Sequence, residues 1–359
     1  MTIKASASPN PPLKFSEIEA EFGAQSPRSL GAYRHTQTVD GLVFDGIDSG
    51  IPSSGTIKFS DFYGKSLNIV VDCFSGDTEF RINAKTNKYN NNDIVIINPT
   101  TVSKKQNGAK ITIRVNKKFG SNKNSVNHCA LRTGTWSNPA AIIVDLGSNA
   151  KVYGAGGDGG EGADGVGANN VGENGDKGGD GTSGLGIQHQ GTIVNVRSGA
   201  ILRRGYGGGG GGAGGRETSK VDRRAGGGGG GGGAGFPAGI AGAGGVPQAG
   251  TNKAGGAGSA GANATETTGG VGGNGGDNQD QAFGAKGGDG GQNGKLSQKG
   301  GNSPGIENQT NKTPPDNYSS LPGARGINGA AIRKTSGISF SFGINNGTIE
   351  GSTTATGVS

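Results

Sequence analysis

Residues 172–184 read Gly172-Glu173-Asn174-Gly175-Asp176-Lys177-Gly178-Gly179-Asp180-Gly181-Thr182-Ser183-Gly184. Glycine stands at every third place, five times in succession. Three residues is one turn of the polyproline II helix, which rises ~3.1 Å per residue and has no internal hydrogen bonds. Glycine on one side lets such helices touch backbone to backbone. Their N–H and C=O groups must then be satisfied by neighbours. The same spacing returns at Gly154, Gly157, Gly160, at Gly270, Gly273, Gly276 and at Gly323, Gly326, Gly329. The pure runs 207–212 and 226–233 satisfy any register. No proline occurs between Pro139 and Pro237, and the runs are short, which excludes collagen. A bundle of short glycine helices is expected.

Working outward, 79 of the 359 residues are glycine, and 57 of them fall within 151–300. Only 30% of the chain is apolar, too little for one ordinary core. A second pattern anchors the first. Ile142-Ile143-Val144-Asp145-Leu146-Gly147 leads into Lys151-Val152-Tyr153-Gly154. Ile193-Val194-Asn195-Val196 leads likewise into Ile201-Leu202-Arg203, and Phe340-Ser341-Phe342 into Thr348-Ile349-Glu350. Each is strand, tight turn, short strand. Three such units predict stacked rungs sharing a core that none could build alone. A glycine linker would show no such phase.

Residues 66–135 read as a separate all-β, sandwich-like domain, with short β-branched strands such as Lys110–Val115 in strict alternation. Trp136 is a candidate core anchor. The formal charge is +7, and most of it lies between 66 and 150. Lys104, Lys105, Lys110, Lys117, Lys118 and Lys123 are expected on a solvated face. They lack the interleaved aromatics of a nucleic-acid surface. Residues 1–65 form a docking arm in which Leu13-Lys14-Phe15-Ser16-Glu17-Ile18 recurs as Ile57-Lys58-Phe59-Ser60-Asp61-Phe62. Ser16 and Ser60 are the expected helix N-caps. The arm is expected to have little core of its own and to order on a partner. Phe15, Phe22, Tyr33, Phe59, Phe62 and Tyr63 are its candidate docking residues.

Catalysis has little support. His35, His128 and His189 fall in three regions with no triad or metal-ligand spacing. Glycine motifs of the GxGxxG kind arise by chance here and are discarded. Asp158, Glu161, Asp176 and Asp180 do not keep the spacing of calcium nonapeptide repeats. No cofactor or metal is expected, and Cys73 and Cys129 are read as reduced thiols. What remains is recognition. Segments 216–224, 236–248, 263–268, 277–283 and 292–321 break the glycine period and read as turns, some gathered at one tip. Arg223, Arg224, Phe236, Asn308, Gln309, Asn311 and Tyr318 are the candidate contact residues there, combining an aromatic face with directional hydrogen bonding.

From Thr133-Gly134-Thr135-Trp136 through Val152-Tyr153-Gly154-Ala155-Gly156-Gly157 to Gly347-Thr348-Ile349-Glu350-Gly351, the chain resembles the glycine-rich adhesins at the tips of T-even phage tail fibres. The stretches 47–55 and 57–64 resemble modules that open phage structural proteins, notably in cyanophages. The resemblance implies a mainly β protein with a polyglycine II bundle (136–359) on stacked rungs, made in the host cytoplasm and located on the virion. It implies attachment to other tail or fibre proteins through 1–65, as a monomeric tip or a homotrimer. It also implies that the loops bind a bacterial surface glycan or outer-membrane protein, with no nucleic-acid partner. The alternative is a non-adhesive structural virion protein. An enzyme such as a glycan depolymerase is the weakest reading.

Overall fold

The computed structural model describes residues 3, 12–22, 28–33, 36–39, 42–45, 51–52, 54–65, 68–73, 82–83, 94–97, 110–123, 125–136, 139, 141–165, 173–217, 223–247, 256–278, 282–300 and 320–358. None of their helices is long and apolar enough to cross a membrane.

The N-terminal module holds one helix, α1 (Phe15–Phe22), two 3-10 turns (Leu30–Tyr33 and Phe59–Phe62) and the hairpin β1 (Thr36–Val39) with β2 (Leu42–Asp45). The repeated phrase folds alike in both copies. The Lys14 N–H donates to the Glu17 carboxylate at 2.6 Å, and the Lys58 N–H to that of Asp61 at 2.7 Å. The acid three residues on thus reaches back to the residue before the turn. The caps are therefore Lys14 and Lys58, and the expected serines lie inside the turns. The apolar residues of the module join one continuous core with those of the solenoid. Phe22, Tyr33 and Phe62 are buried and meet pairwise with centroids about 6 Å apart. Phe15 packs edge-on against Phe59 at 6.0 Å, ring against ring between the two copies.

The rest of the β structure is a solenoid. After β3 (Asn68–Cys73), β4 (Ile82–Asn83) and β5 (Ile94–Ile97), the rungs are regular. One is β6 (Lys110–Val115), β7 (Lys118–Phe119) and β8 (Cys129–Arg132). The next is β9 (Ala141–Leu146), β10 (Lys151–Tyr153) and β11 (Ser183–Ile187). Then come β12 (Thr192–Val196) and β13 (Ile201–Arg203), two hairpins described below, β14 (Gly215–Glu217) with β15 (Arg223–Ala225) and β16 (Asp277–Asn278) with β17 (Ala282–Phe283), and β18 (Ile332–Lys334). The last rung is β19 (Phe340–Asn345), β20 (Thr348–Glu350) and β21 (Ala355–Thr356).

Like strands stack into three sheets, β5-β3-β6-β9-β12-β19, β7-β10-β13-β20 and β4-β8-β11-β18-β21. All pairs are parallel except β3 with β5. The three phrases read from the sequence lie in register, Val144 beside Val194 beside Phe342 and Val152 beside Leu202 beside Ile349. Every second residue points inward, which puts Ile111, Ile113 and Val115 in the core. Two expectations need correction. The middle segment is not a sandwich, because its strands pair in parallel with strands far along the chain. Nor does it end at 135, since β6 pairs with β9 over six residues. Trp136 is buried, its Nε1–H donating to the Thr133 carbonyl at 2.7 Å, and Cys73 and Cys129 are unbridged and buried.

The glycine runs leave the solenoid between the second and third strands of two rungs. Runs 1 (154–165) and 2 (173–182) join β10 to β11. Eight more join β13 to β18, namely run 3 (205–214), 4 (226–235), 5 (237–246), 6 (256–264), 7 (269–276), 8 (284–291), 9 (296–300) and 10 (321–330). Their hydrogen bonds repeat every three residues. Gly156, Gly159, Gly162 and Gly165 donate to run 5, while Gly157, Gly160 and Ala163 donate to run 3. Traced throughout, these bonds set the runs in three layers, 2-1-5, then 10-3-4-6, then 9-8-7.

Neighbour number explains glycine density. Runs 3 and 4 have neighbours on six sides and are the two pure glycine stretches. Methyls added to Gly209, Gly210 and Gly211 would land on carbonyls of runs 8, 10 and 1 in turn. Methyls at Gly229, Gly230 and Gly231 would meet runs 5, 3 and 7. Runs 6 and 10, at the ends of the middle layer, need glycine only at every third place, as at Gly258 and Gly261 or Gly323, Gly326 and Gly329.

Candidate functional site

Because successive runs alternate in direction, their connections fall at two opposite ends of the slab. At the solenoid end lie Phe236–Pro237, residues 265–268 and residues 292–295. There Lys118 places its Nζ 4.2 Å from the centre of the Phe236 ring and 2.9 Å from Glu266 Oε1. The Phe236 carbonyl accepts the Ser121 N–H at 3.1 Å. Lys123 pairs with Asp158 at 2.5 Å. Arg203 pairs with Glu350 at 2.6 Å and donates to the Glu266 carbonyl. Phe236 is thus a seam residue, at the opposite end from the tip expected for it. Residues 237–246 are a run and not a turn. Alanine replaces glycine there because a corner run has a free side. Lys118 and Lys123 hold the slab to the solenoid instead of forming a purely solvated face.

At the far end stand the hairpins β14–β15 and β16–β17, antiparallel and in contact with each other. Arg223 and Arg224 belong to β15, opposite Glu217 and Arg216, so their backbone lies at this end. Runs 1 and 2, 5 and 6, and 9 and 10 also have their joined ends here. Asn308, Gln309, Asn311 and Tyr318 lie outside the described residues, in the connection between runs 9 and 10. Five connections therefore belong to the far end and three to the seam. The signal that separates them is parity, since alternate turns along an up-and-down bundle share an end.

The flanks show what the acidic residues do. Asp158 accepts the N–H of Ile240, Asp164 that of Val246, Asn174 that of Leu321 and Asp180 that of Ile327, each at 2.8 Å. An outer run has N–H groups with no further run beyond them, and a carboxylate or amide on the adjacent run supplies the acceptor. Asp289 does the same for the Gly272 N–H at 3.0 Å. Burial alone would raise its pKa, but that N–H and the ammonium groups of Lys295 and Lys286 hold it below the usual carboxylate value. Among the described residues no group of three or more His, Cys, Asp or Glu is placed to hold a metal.

The model of the phage tail fibre adhesin Gp38 family matches residues 77–354. Among solved structures, the crystal structure of the gp37-gp38 adhesin tip complex of the bacteriophage S16 long tail fibre is similar at 16% identity. It covers 93% of this chain and 96% of that one with a TM-score of 0.34. No curated protein matches the chain in sequence. With the family model spanning the whole slab and all of the solenoid but its first strand, β3, and its last, β21, the chain belongs to the phage tail fibre adhesin Gp38 family.

Proposed function

We propose that the connections at the free end of the slab are the surface that contacts the host receptor, a bacterial surface glycan or an outer-membrane protein. The observation that carries this is their segregation. Five polar connections, unlike one another in sequence, join runs at the ends farthest from the solenoid, while two of the three at the seam, Phe236–Pro237 and 265–268, are tied down by Lys118, Arg203 and Ser121. The three-residue hydrogen-bond repeat supports reading the runs as polyglycine II helices, which makes the slab a stiff support. Specificity on rigid supports resides in loops. The N-terminal module would join the tip to another tail-fibre protein. Phe22, Tyr33 and Phe62 serve the continuous core, and Phe59, 40% exposed beside half-buried Phe15 and Tyr63, is the apolar residue left to meet a partner.

The test is saturable binding of the labelled full chain to a panel of bacterial strains. A second form carries a short Gly-Ser turn in place of 301–319. Runs 9 and 10 are already adjacent, Gly300 donating to the Gly323 carbonyl, so the slab should keep its melting temperature. Loss of strain-specific binding with unchanged melting supports the reading. Undiminished binding refutes it for this connection, and absence of binding to every strain by the intact chain shifts the weight to a structural virion role.

A further inference from the structure

The charges of the slab are sorted by face. Among the described residues of the ten runs, the layer 2-1-5 carries Asp158, Glu161, Asp164, Glu173, Asp176 and Asp180 against Lys177 alone. The opposite side, layer 9-8-7 with its adjoining turn and the edge run 10, carries Lys286, Lys295, Lys299 and Arg325 against Asp289 alone. The central runs 3 and 4 carry no charge. Asp289 is met by both Lys286 and Lys295, at 3.6 and 3.1 Å, which leaves Lys299 and Arg325 unopposed on the slab. Arg325 leans across the groove between runs 9 and 10 and donates to the Ser297 carbonyl at 3.4 Å. The groove is lined by Leu296, Ser297, Arg325, Ile327 and Asn328. Leu296 is 52% exposed, Ile327 58% and, on run 7, Val271 56%.

We infer that this basic face is a second, loop-independent docking surface for an anionic, phosphate-bearing lipid surface. Two features choose that occupant. The cations stand on three adjoining runs, 8, 9 and 10, and the turn between two of them, so several can meet an array of phosphates at once. Aliphatic side chains stand among them with more than half their surface in water, able to enter the boundary beneath the headgroups. The acidic opposite face would be repelled by the same surface, so the field also orients the tip. A soluble acidic peptide would use the cations but not the aliphatic groups. The contact is salt-sensitive, and it operates without any receptor at the free end.

The test uses the full chain with vesicles of phosphatidylcholine, with and without phosphatidylglycerol, which contain no receptor. Expected is co-sedimentation with the anionic vesicles only, reversed by high salt. Binding should weaken about fivefold for each of Lys286, Lys299 and Arg325 replaced by glutamine. Leu296→Ser should weaken it as well. The acidic-face variant Glu161→Gln/Asp176→Asn should bind at least as well as the parent, and every variant should remain folded, with one cooperative melting transition. Failure of the intact chain to bind anionic vesicles, or binding indifferent to the basic-face changes, overturns the inference. The form shortened at 301–319 should still bind vesicles, so the receptor reading and this one fail separately.

Discussion

At the scale of single residues, the glycines are steric requirements set by position in the array. Gly210 lies in run 3, and a methyl there would land on the Gly323 carbonyl of run 10. Gly210→Ala must push run 10 away from run 3, which is enclosed on six sides and cannot move aside, and so break the bonds by which Gly323, Gly326 and Gly329 hold run 10 to run 3. Overpacking of this kind costs about 1–3 kcal/mol and occasionally more, so the variant should melt several degrees lower. Glu161→Ala, on the outward face of run 1, should stay within about 0.5 kcal/mol of the parent. Comparable melting temperatures for the two variants would contradict the array. Asp289 sets a pH dependence. Its carboxylate is held below the ordinary value in the folded chain. The stability it contributes is therefore present above the unfolded-state pKa and lost as pH falls through the folded one. Asp289→Asn should be less stable than the parent at neutral pH and converge with it in acid. A difference that persists into strong acid would show that charge is not the cause.

At the scale of elements, the solenoid and the runs were legible to different depths. The period-three glycine was plain because it repeats within a short window, and the three strand-turn-strand phrases because each holds strand, glycine-bearing turn and short strand in one stretch. The rung β6-β7-β8 was not, because Asn116-Lys117, which joins β6 to β7, lacks the glycine found in the turns of the three legible phrases. The alternation in Lys110–Val115 is nonetheless in phase with that of β9, with Ile113 beside Val144. Phe236 was misplaced because composition marks a turn without saying at which end it lies. The direction of every preceding run has to be counted. Position matters likewise at the last rung, where β19, β20 and β21 each end a sheet. Open edges invite pairing with other chains. Here β20 and β21 are short, and β19 carries a bulge, the register shifting between Val194 and Asn195 so that Gly343 is passed over and the Ile344 N–H donates to Asn195 Oδ1 at 2.9 Å. Deleting Gly343 would make this edge regular. The expected outcome is a folded chain that self-associates as concentration rises, detected by light scattering. A deletion variant that stays as monodisperse as the parent would mean that the bulge does not protect the edge.

At the scale of the whole molecule, the slab and the solenoid solve one problem together. Runs 3 and 4 bury almost no side chains, so the slab has no hydrophobic core of its own. Ordering a residue costs ~1–2 kcal/mol, and a backbone hydrogen bond returns ~1 kcal/mol net. A glycine, with the most freedom to lose, sits at the costly end. On these figures the hydrogen bonds of the slab do not by themselves offset the ordering of its glycines. The surplus must come from the solenoid, where Ile113, Val144, Val194 and Leu202 are fully buried and where β10, β11, β13 and β18 fix where runs 1, 2, 3 and 10 begin and end. Melting should therefore be one transition. Leu202→Ala, a cavity in the solenoid costing about 2–5 kcal/mol, should lower hydrogen-exchange protection at Gly229, Gly230 and Gly231 by the same free energy as it does at Val144 and Val194. Those three glycine amides donate to Ser259, Gly160 and Gly288, none of them in the solenoid. A slab stable by itself would keep their protection while the solenoid lost its own. That result would place the rigidity of the receptor-bearing end in the glycine array alone. Equal losses would show that the core of three sheets holds the free end in place, ~30 Å away along a ten-residue run.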